Sequence, residues 1–195
     1  MKFDVIIIGA GSAGMQVASA LQAAGRKTAV IGLGRSINEV EVRPYEQAGG
    51  TLLIGDSVRE GIFSEGRLKA VRTVNLGAYP LEADRFVLAT GKFLGGGLVA
   101  DMDSVYEPLF GLDVSFDEDR GSWFDADFEA PQRFLTFGVR TDTQSRPSIN
   151  GRTIENLYVC GELLAGISAV NGREEIGKSA AKVVEILSSE PHAEA

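Results

Sequence analysis

The run VIIIGAGSAGMQVASALQAAGRKTAVIG, residues 5–32, decides the fold. Lys2 to Ile8 is apolar and β-branched with little alternation, the pattern of a strand buried on both faces. Met15 to Ala24 mixes Ala, Leu, Val and Gln, which favours helix, and Gly25 supplies the stop. Lys27 to Gly32 is a second buried strand. Strand, helix and strand within about 30 residues form a right-handed parallel crossover. Gly9, Gly11 and Gly14 stand between the first strand and the helix. Gly9 permits a tight turn, Gly11 lets backbone approach a pyrophosphate with no Cβ in the way, and Gly14 lets the helix pack closely on the strand. Ser12 and Ala13 present N–H groups at the positive end of the helix dipole. In this setting the pattern points to dinucleotide binding.

Further along, Thr51 to Ile54, Arg85 to Thr90 and Asn156 to Cys160 read as core strands. Val58 to Phe63, Leu68 to Val74 and a short piece at Tyr79 to Leu81 are divided by turn signals at Ser64-Glu65-Gly66 and Gly77, and read as an antiparallel meander. Leu33 to Gly50 reads as loop with a helical turn near Tyr45 to Ala48. Residues 92–136 show no sustained period, and Phe137 to Thr141 reads as a strand. Gly177 to Ser188 reads as a helix. The expected fold is α/β: a Rossmann-like domain with a parallel sheet plus a small antiparallel β-meander inserted at about 58–82. One domain is expected over residues 1–189, with a disordered tail at 190–195.

Glycine, 24 of 195 residues, exceeds the ~7% typical of proteins and suits close backbone approach to a ligand. A net charge of −8 argues against a nucleic-acid partner. The charge is uneven: residues 1–97 carry 11 basic and 9 acidic side chains, residues 98–195 carry 8 and 18. Ten acids lie between Asp101 and Glu129, with only Arg120 against them. They read as a solvated acidic face, the alternative being a docking face for a basic partner. Asp117, Glu118 and Asp119 lack the alternating spacing of a calcium loop. The single cysteine, Cys160, and the single histidine, His192, leave no set of ligands for a Cys- or His-based metal site. No apolar run reaches the ~18 residues of a membrane span, and Val5 to Ile8 is too short for a signal-peptide core, so a cytoplasmic location is expected.

The second strand ends in Gly32, where an acid would hold a ribose hydroxyl, and Arg35-Ser36 follow. A small residue followed by arginine suits a 2′-phosphate, so NADPH is one candidate ligand. Cys160 reads as a core residue, and Trp123, Phe124 and Phe128 as core or loop packing.

Ala89-Thr90-Gly91 and Gly161-Glu162 match the strand ends of two-dinucleotide-binding-domain flavoproteins. FVLATGKFLGGGLVA (86–100), EPLFGLDV (107–114) and the pieces AP, FGV, TD, RPS and TIENL within 130–157 resemble the B subunit of anaerobic glycerol-3-phosphate dehydrogenase. FLGG after the ATG is similar to the glucose-inhibited division protein A flavoproteins. The resemblance implies a Rossmann-like FAD-binding domain, with FMN less favoured. Gly9, Gly11 and Gly14 would face the pyrophosphate, Val58 would present its backbone to the adenine, and Thr90 and Gly91 would line the dinucleotide. Glu162, next to Gly161, would accept a hydrogen bond from a ribityl hydroxyl. The helix starting near Gly177 would aim its N-terminus at phosphate or flavin. An acid at the C-terminal end of a core strand also stands where α/β sheets bind ligands.

The family's substrate-facing domain is absent between Gly32 and Gly50, and Arg173, Glu174 and Glu175 replace its last glycine cluster. The expected function is therefore that of an FAD-binding flavoprotein, an electron-transferring oxidoreductase subunit with no assignable catalytic residue. A non-catalytic FAD-binding module and an NADPH-binding protein are the alternatives. A second copy or a partner redox subunit would cover the face left bare, and could hold the chain at the inner side of a membrane.

Overall fold

Ile6, Ile7 and Ile8 offer no polar side chain to either face of β1 (Lys2–Ile8), and the strand accordingly runs through the middle of the sheet. The computed structural model describes residues 2–34, 39–168 and 172–190. After β1 come α1 (Ser12–Ala23), β2 (Thr28–Gly32), α2 (Glu39–Gln47) and β3 (Thr51–Ile54). The meander strands β4 (Val58–Ser64) and β5 (Arg67–Thr73) lead into β6 (Leu81–Leu88). Three small antiparallel pairs follow: β7 (Val99–Ala100) with β8 (Val105–Tyr106), β9 (Val114–Ser115) with β10 (Gly138–Val139), and β11 (Ser148–Ile149) with β12 (Arg152–Thr153). β13 (Leu157–Val159) and α3 (Arg173–Ser189) complete the described chain.

The large sheet runs β3-β2-β1-β6-β5-β4, with β13 also pairing β6. β3, β2, β1, β6 and β13 are parallel to one another, and β5 and β4 are antiparallel additions. Its faces bury separate cores. Val5 and Ile7 of β1 pack under α1 and α3 with Met15, Val17, Leu21, Val183 and Leu187. Phe3, Ile6 and Ile8 face the other way, against Leu68, Phe110, Trp123 and Phe137 from the meander and the 90–140 segment. The expected Rossmann-like fold is the observed one. No helix among the described residues is long and apolar enough to cross a membrane.

Several local expectations are corrected. The piece at Tyr79–Leu81 and the strand at Arg85–Thr90 are parts of one strand, β6. Glu82, Asp84 and Arg85 interrupt its apolar pattern because the N-terminal part of β6 lies at the polar end of the sheet, where Lys2 pairs with Asp84 and Arg85 with Glu190. Residues 39–47 form a nine-residue helix rather than a loop with one turn. It is anchored by Tyr45, whose buried hydroxyl bonds Thr28 Oγ1 at 2.8 Å and donates to the Thr51 carbonyl at 3.2 Å. At 137–141 only Gly138 and Val139 are strand. α3 begins at Arg173, so Gly177 lies inside the helix, where its carbonyl accepts from Gln16 Nε2 at 3.3 Å. Glu174 and Glu175 suit the positive first turn, which lets the helix start earlier than the glycine suggested. Glu190, read as the start of the tail, accepts from Tyr158 Oη at 2.8 Å and from Arg85 Nε at 2.5 Å. Residues 191–195, with His192, lie outside the described residues.

β6 pairs β1 along one edge from Glu82 to Leu88, and divides its other edge between two strands. Leu81 and Glu82 face β5, whereas Phe86 to Leu88 face β13. Asn156, 2% exposed, sits where β5 and β13 part. Its side chain accepts from Leu68 N–H at 2.9 Å and donates to the Leu68 and Asp84 carbonyls at 2.8 and 3.0 Å. Its own carbonyl accepts from Phe86 N–H at 2.9 Å. One amide thus replaces the ladder bonds the fork would leave open. Leaving a buried backbone group unpaired costs about 1–3 kcal/mol. Asn156→Leu should therefore lose about 3 kcal/mol or more of stability in urea unfolding, and a loss below about 1 kcal/mol would show that the fork is held by something else.

Candidate functional site

Glycines stand within three residues of the C-terminal ends of β1, β2, β6 and β13, and for β1, β2 and β13 the reason is crowding. Gly9 has φ +114°, and a Cβ there would lie 2.3 Å from the Ala89 carbonyl oxygen at the end of β6. A Cβ on Gly14 would lie 2.0 Å from the Gly9 oxygen, and one on Gly32 would lie 2.6 Å from Ala10 Cβ. Gly161, at φ +79°, would bring its Cβ to 2.9 Å from Ala13 Cβ. Gly32 is thus explained by packing against Ala10, and the argument from its small size for a 2′-phosphate loses its force. Arg35 and Ser36, the other half of that argument, lie outside the described residues.

Gly11 differs. Its φ of −75° suits any residue, and a Cβ there would meet nothing within 4 Å. No contact among the described residues demands glycine at this position, and the space it leaves opens onto the start of α1. That start is bare: Gly11 is the N-cap with no side-chain hydrogen bond, and no acid stands in the first turn. The leading N–H groups of the helix, beginning at the exposed Ser12 and the buried Ala13, are left for a ligand. A phosphate-sized anion fits both features, the missing Cβ and the uncapped dipole.

Thr90 and Gly91 leave β6 beside this cradle. Thr90 Oγ1 is buried and has no hydrogen-bond partner among the described residues. Gly95 and Gly97 fold back over it: their Cβ atoms would lie 2.1 Å from the Thr90 carbonyl oxygen and 2.0 Å from that of Gly91. Glu162 is half-buried on a single 3-10 turn, Gly161–Leu163, whose first N–H donates to Ser179 Oγ of α3 at 2.9 Å. Val58 is the first rung of β4, opposite Thr73, and Gly55 rather than Val58 bonds Gly32, at 2.9 Å. The start of α3 carries Glu174 and Glu175, which suit that helix end but repel an anion there.

Lys92 was not visible as a site residue from sequence. It is buried, and its Nζ donates to the carbonyls of Leu135 and Ile167, joining three segments behind Thr90 and Gly91. Burial drives its ammonium down to about 8, against the pull of the Glu162 carboxylate. Cys160 is fully buried and burial pushes its thiol up to about 12, which leaves it a packing residue, as its strand position implied. Among the described residues no group of His, Cys, Asp or Glu is arranged to hold a metal ion.

The fold and this cradle define an α/β dinucleotide-binding protein. Residues 39–175 match the family model of the FAD binding domain, FAD_binding_2. The chain belongs to that family, and of the three nucleotides the sequence left open FAD is its cofactor. It is 44% identical over 140 residues to the B subunit of anaerobic glycerol-3-phosphate dehydrogenase from Vibrio cholerae (strain M66-2), covering 71% of this chain and 32% of that protein. The corresponding B subunit from Vibrio vulnificus (strain CMCP6) is 40% identical over 141 residues, with the same coverage of 71% and 32%. The chain therefore spans about a third of the length of the curated relatives it matches. Among solved structures, Thermovibrio ammonificans THI4 superposes with a TM-score of 0.59 at 14% identity over 96% of this chain and 89% of that one. A thioredoxin reductase from Gloeobacter violaceus gives 0.57 at 12% identity, over 96% and 94%. These two likenesses concern the fold alone.

The glycines separate ligand from packing. Gly11→Ala, which puts a poor N-cap residue in place of glycine, should lower the melting temperature of the FAD-free protein by no more than about 4 °C while weakening FAD binding at least tenfold in a fluorescence titration. Gly14→Ala should instead cost about 3 kcal/mol or more, as overpacking against backbone does. Equal effects at the two positions would refute the distinction. Lys92 has a pH signature. Between pH about 8 and its ordinary value of 10.5 the unfolded lysine holds a proton that the folded one has lost. Folding stability from this group therefore rises with pH across that window. The raised Cys160 thiol acts the other way above about 9, so the test is the difference: from pH 7.5 to 10 the urea midpoint should rise further in wild type than in Lys92→Met.

Proposed function

We propose that this chain is the FAD-holding part of a redox protein and passes electrons between FAD and a partner subunit. The open N-terminus of α1, with Gly11 lacking any packing role, carries the reading. Bound FAD supplies the redox chemistry, taking up and releasing two electrons. The chain's own residues bind and orient. The first N–H groups of α1 hold the diphosphate. Thr90 and Gly91 carry the chain past the end of β6 where the dinucleotide runs, under the loop of Gly95 and Gly97. Glu162 accepts from a ribityl hydroxyl. Lys92 keeps the loops behind them closed.

The relatives are named as one subunit of a glycerol-3-phosphate dehydrogenase. This chain spans a third of their length and offers no histidine among its described residues. Electron transfer, with the substrate site supplied by a partner subunit, is thus favoured over oxidation of glycerol 3-phosphate by this chain alone. The reading implies a cytoplasmic setting.

The test is optical. The purified protein, or the protein after incubation with FAD, should absorb near ~370 and ~450 nm, and the released cofactor should have the mass of FAD. Dithionite should bleach the bands and an added acceptor restore them. A protein that takes up no FAD overturns the proposal. One that binds FAD and cannot be reoxidised by any acceptor is a non-catalytic FAD module.

A further inference from the structure

Leu94 is fully exposed and Phe128 is 95% exposed, next to a half-exposed Phe124. These are not scattered surface residues. The Phe124 ring lies 5.0 Å from that of Phe134, and Phe134 lies 6.1 Å from Phe93, the neighbour of Leu94. Phe93 and Phe134 pack on the core beneath, so Phe124, Phe134 and Phe93 form one apolar ridge, and Leu94 and Phe128 stand exposed on the chain segments that carry it. The expectation of core or loop packing holds for Phe124, which packs on Phe134, and is corrected for Phe128. Only Trp123 of that group is buried.

The turn that holds Phe128 out is well tied. Gln132 Oε1 accepts from Asp125 N–H at 2.9 Å, and Gln132 Nε2 donates to the carbonyls of Asp127 and Ala130 at 3.0 and 3.1 Å. Asp125 and Asp127 each accept from the backbone N–H two residues on, at 2.9 and 3.0 Å. An apolar side chain displayed on a fixed turn marks an interaction site more often than an accident. Asp125, Asp127 and Glu129 edge the ridge, all exposed, and none forms an ion pair with a described residue. Arg120 lies over the Trp123 and Phe124 rings at 4.1 and 5.5 Å, and against that one cation three carboxylates with no ion pair among the described residues call for lysines or arginines around an apolar centre. A second copy of this chain meeting the same face would set like charges together, as would an anionic membrane.

We propose that Leu94, Phe124 and Phe128, with Asp125, Asp127 and Glu129, form the docking surface for a protein partner that has a basic rim around an apolar centre. The ridge shares a loop with the site. Leu94 follows Thr90 and Gly91 by a few residues, and Lys92 ties that loop to the Leu135 carbonyl beside Phe134. That placement makes the partner the one that exchanges electrons with FAD, an assignment of role that rests on the redox reading above.

Ferricytochrome c, with lysines around an apolar haem edge, is the probe. Its affinity is measured by calorimetry at low salt, on the FAD-free and the FAD-loaded chain. Asp125→Lys/Asp127→Lys/Glu129→Lys should weaken binding at least tenfold. The control Glu65→Lys/Glu82→Lys/Glu185→Lys makes the same change in net charge at exposed acids elsewhere and should shift it less than twofold. Phe124→Ser/Phe128→Ser, with charge unchanged, should weaken it at least threefold. Equal weakening by both triple variants shows a general field only and overturns the proposal, as does an unchanged affinity in the phenylalanine variant. Ridge-specific binding by a chain that takes up no FAD leaves the surface standing and removes the redox role. A loaded chain without ridge-specific binding does the reverse.

Discussion

β6 must satisfy one neighbour along its whole length and two others along its opposite edge. Antiparallel β5 and parallel β13 have different hydrogen-bond geometries, so the two ladders cannot merge. The gap between them would leave backbone groups of Leu68, Asp84 and Phe86 without partners in a buried place. Asn156 fills it because its side-chain amide has the same donor and acceptor as a peptide group, and can bond both edges of the fork at once. The register of β6 is pinned by this. A shift of one residue would exchange its two faces and present Glu82 and Asp84 to the core. The position of Thr90 follows, since it stands two residues beyond the last rung, Val159 against Leu88.

The same constraint explains where the glycines fall. Parallel strands held in register end at the same level, and the connections leaving them must cross within a few ångströms. Gly9 passes under the Ala89 carbonyl, Gly32 under Ala10, and Gly161 beside Ala13. At each of these a side chain would collide with protein. Gly11 alone in the turn borders open space. Glycines that packing requires and one that it does not are close neighbours in the chain and indistinguishable by pattern, yet the contacts separate them.

This is also why the sequence was legible in parts. The crossover from β1 to β2 could be read because everything that makes it is local: a β-branched run, three spaced glycines, a helix-favouring stretch and a stop. β6 was split in two because its polar residues answer to partners at the other end of the chain, Glu190 among them. α2 was missed because Pro44 and the following glycines argue against a helix that tertiary burial of Tyr45 nonetheless holds. Gly177 reads as the start of the last helix because glycine is a poor helix former, yet α3 runs through it from Arg173, and a Cβ there would meet Gln16 only at 3.8 Å. Lys92, Gly95 and Gly97 carried no signal of their own. Lys92 acquires its role from carbonyls 43 and 75 residues away, and Gly95 and Gly97 from the fold of their own loop over Thr90.

Two positive features stand at this end of the sheet, and the protein treats them differently. Lys92 is compensated from within. Two of its donors reach carbonyls, and the Glu162 carboxylate offsets part of the cost of burying its charge. The start of α1 receives no such help: no capping side chain and no acid in its first turn. Proteins ordinarily satisfy such an end with Ser, Thr, Asp or Asn, and glycine in their place costs only a few tenths of a kcal/mol. Gly11 therefore leaves the leading N–H groups unbonded by any side chain at little cost to the helix. In the proposed role the diphosphate of FAD would stabilise the fold as well as fill the site, since a ligand that binds only the folded chain shifts the folding equilibrium toward it. An internal cap there would compete with the cofactor, so on that reading the bare N-terminus of α1 answers to binding rather than to folding.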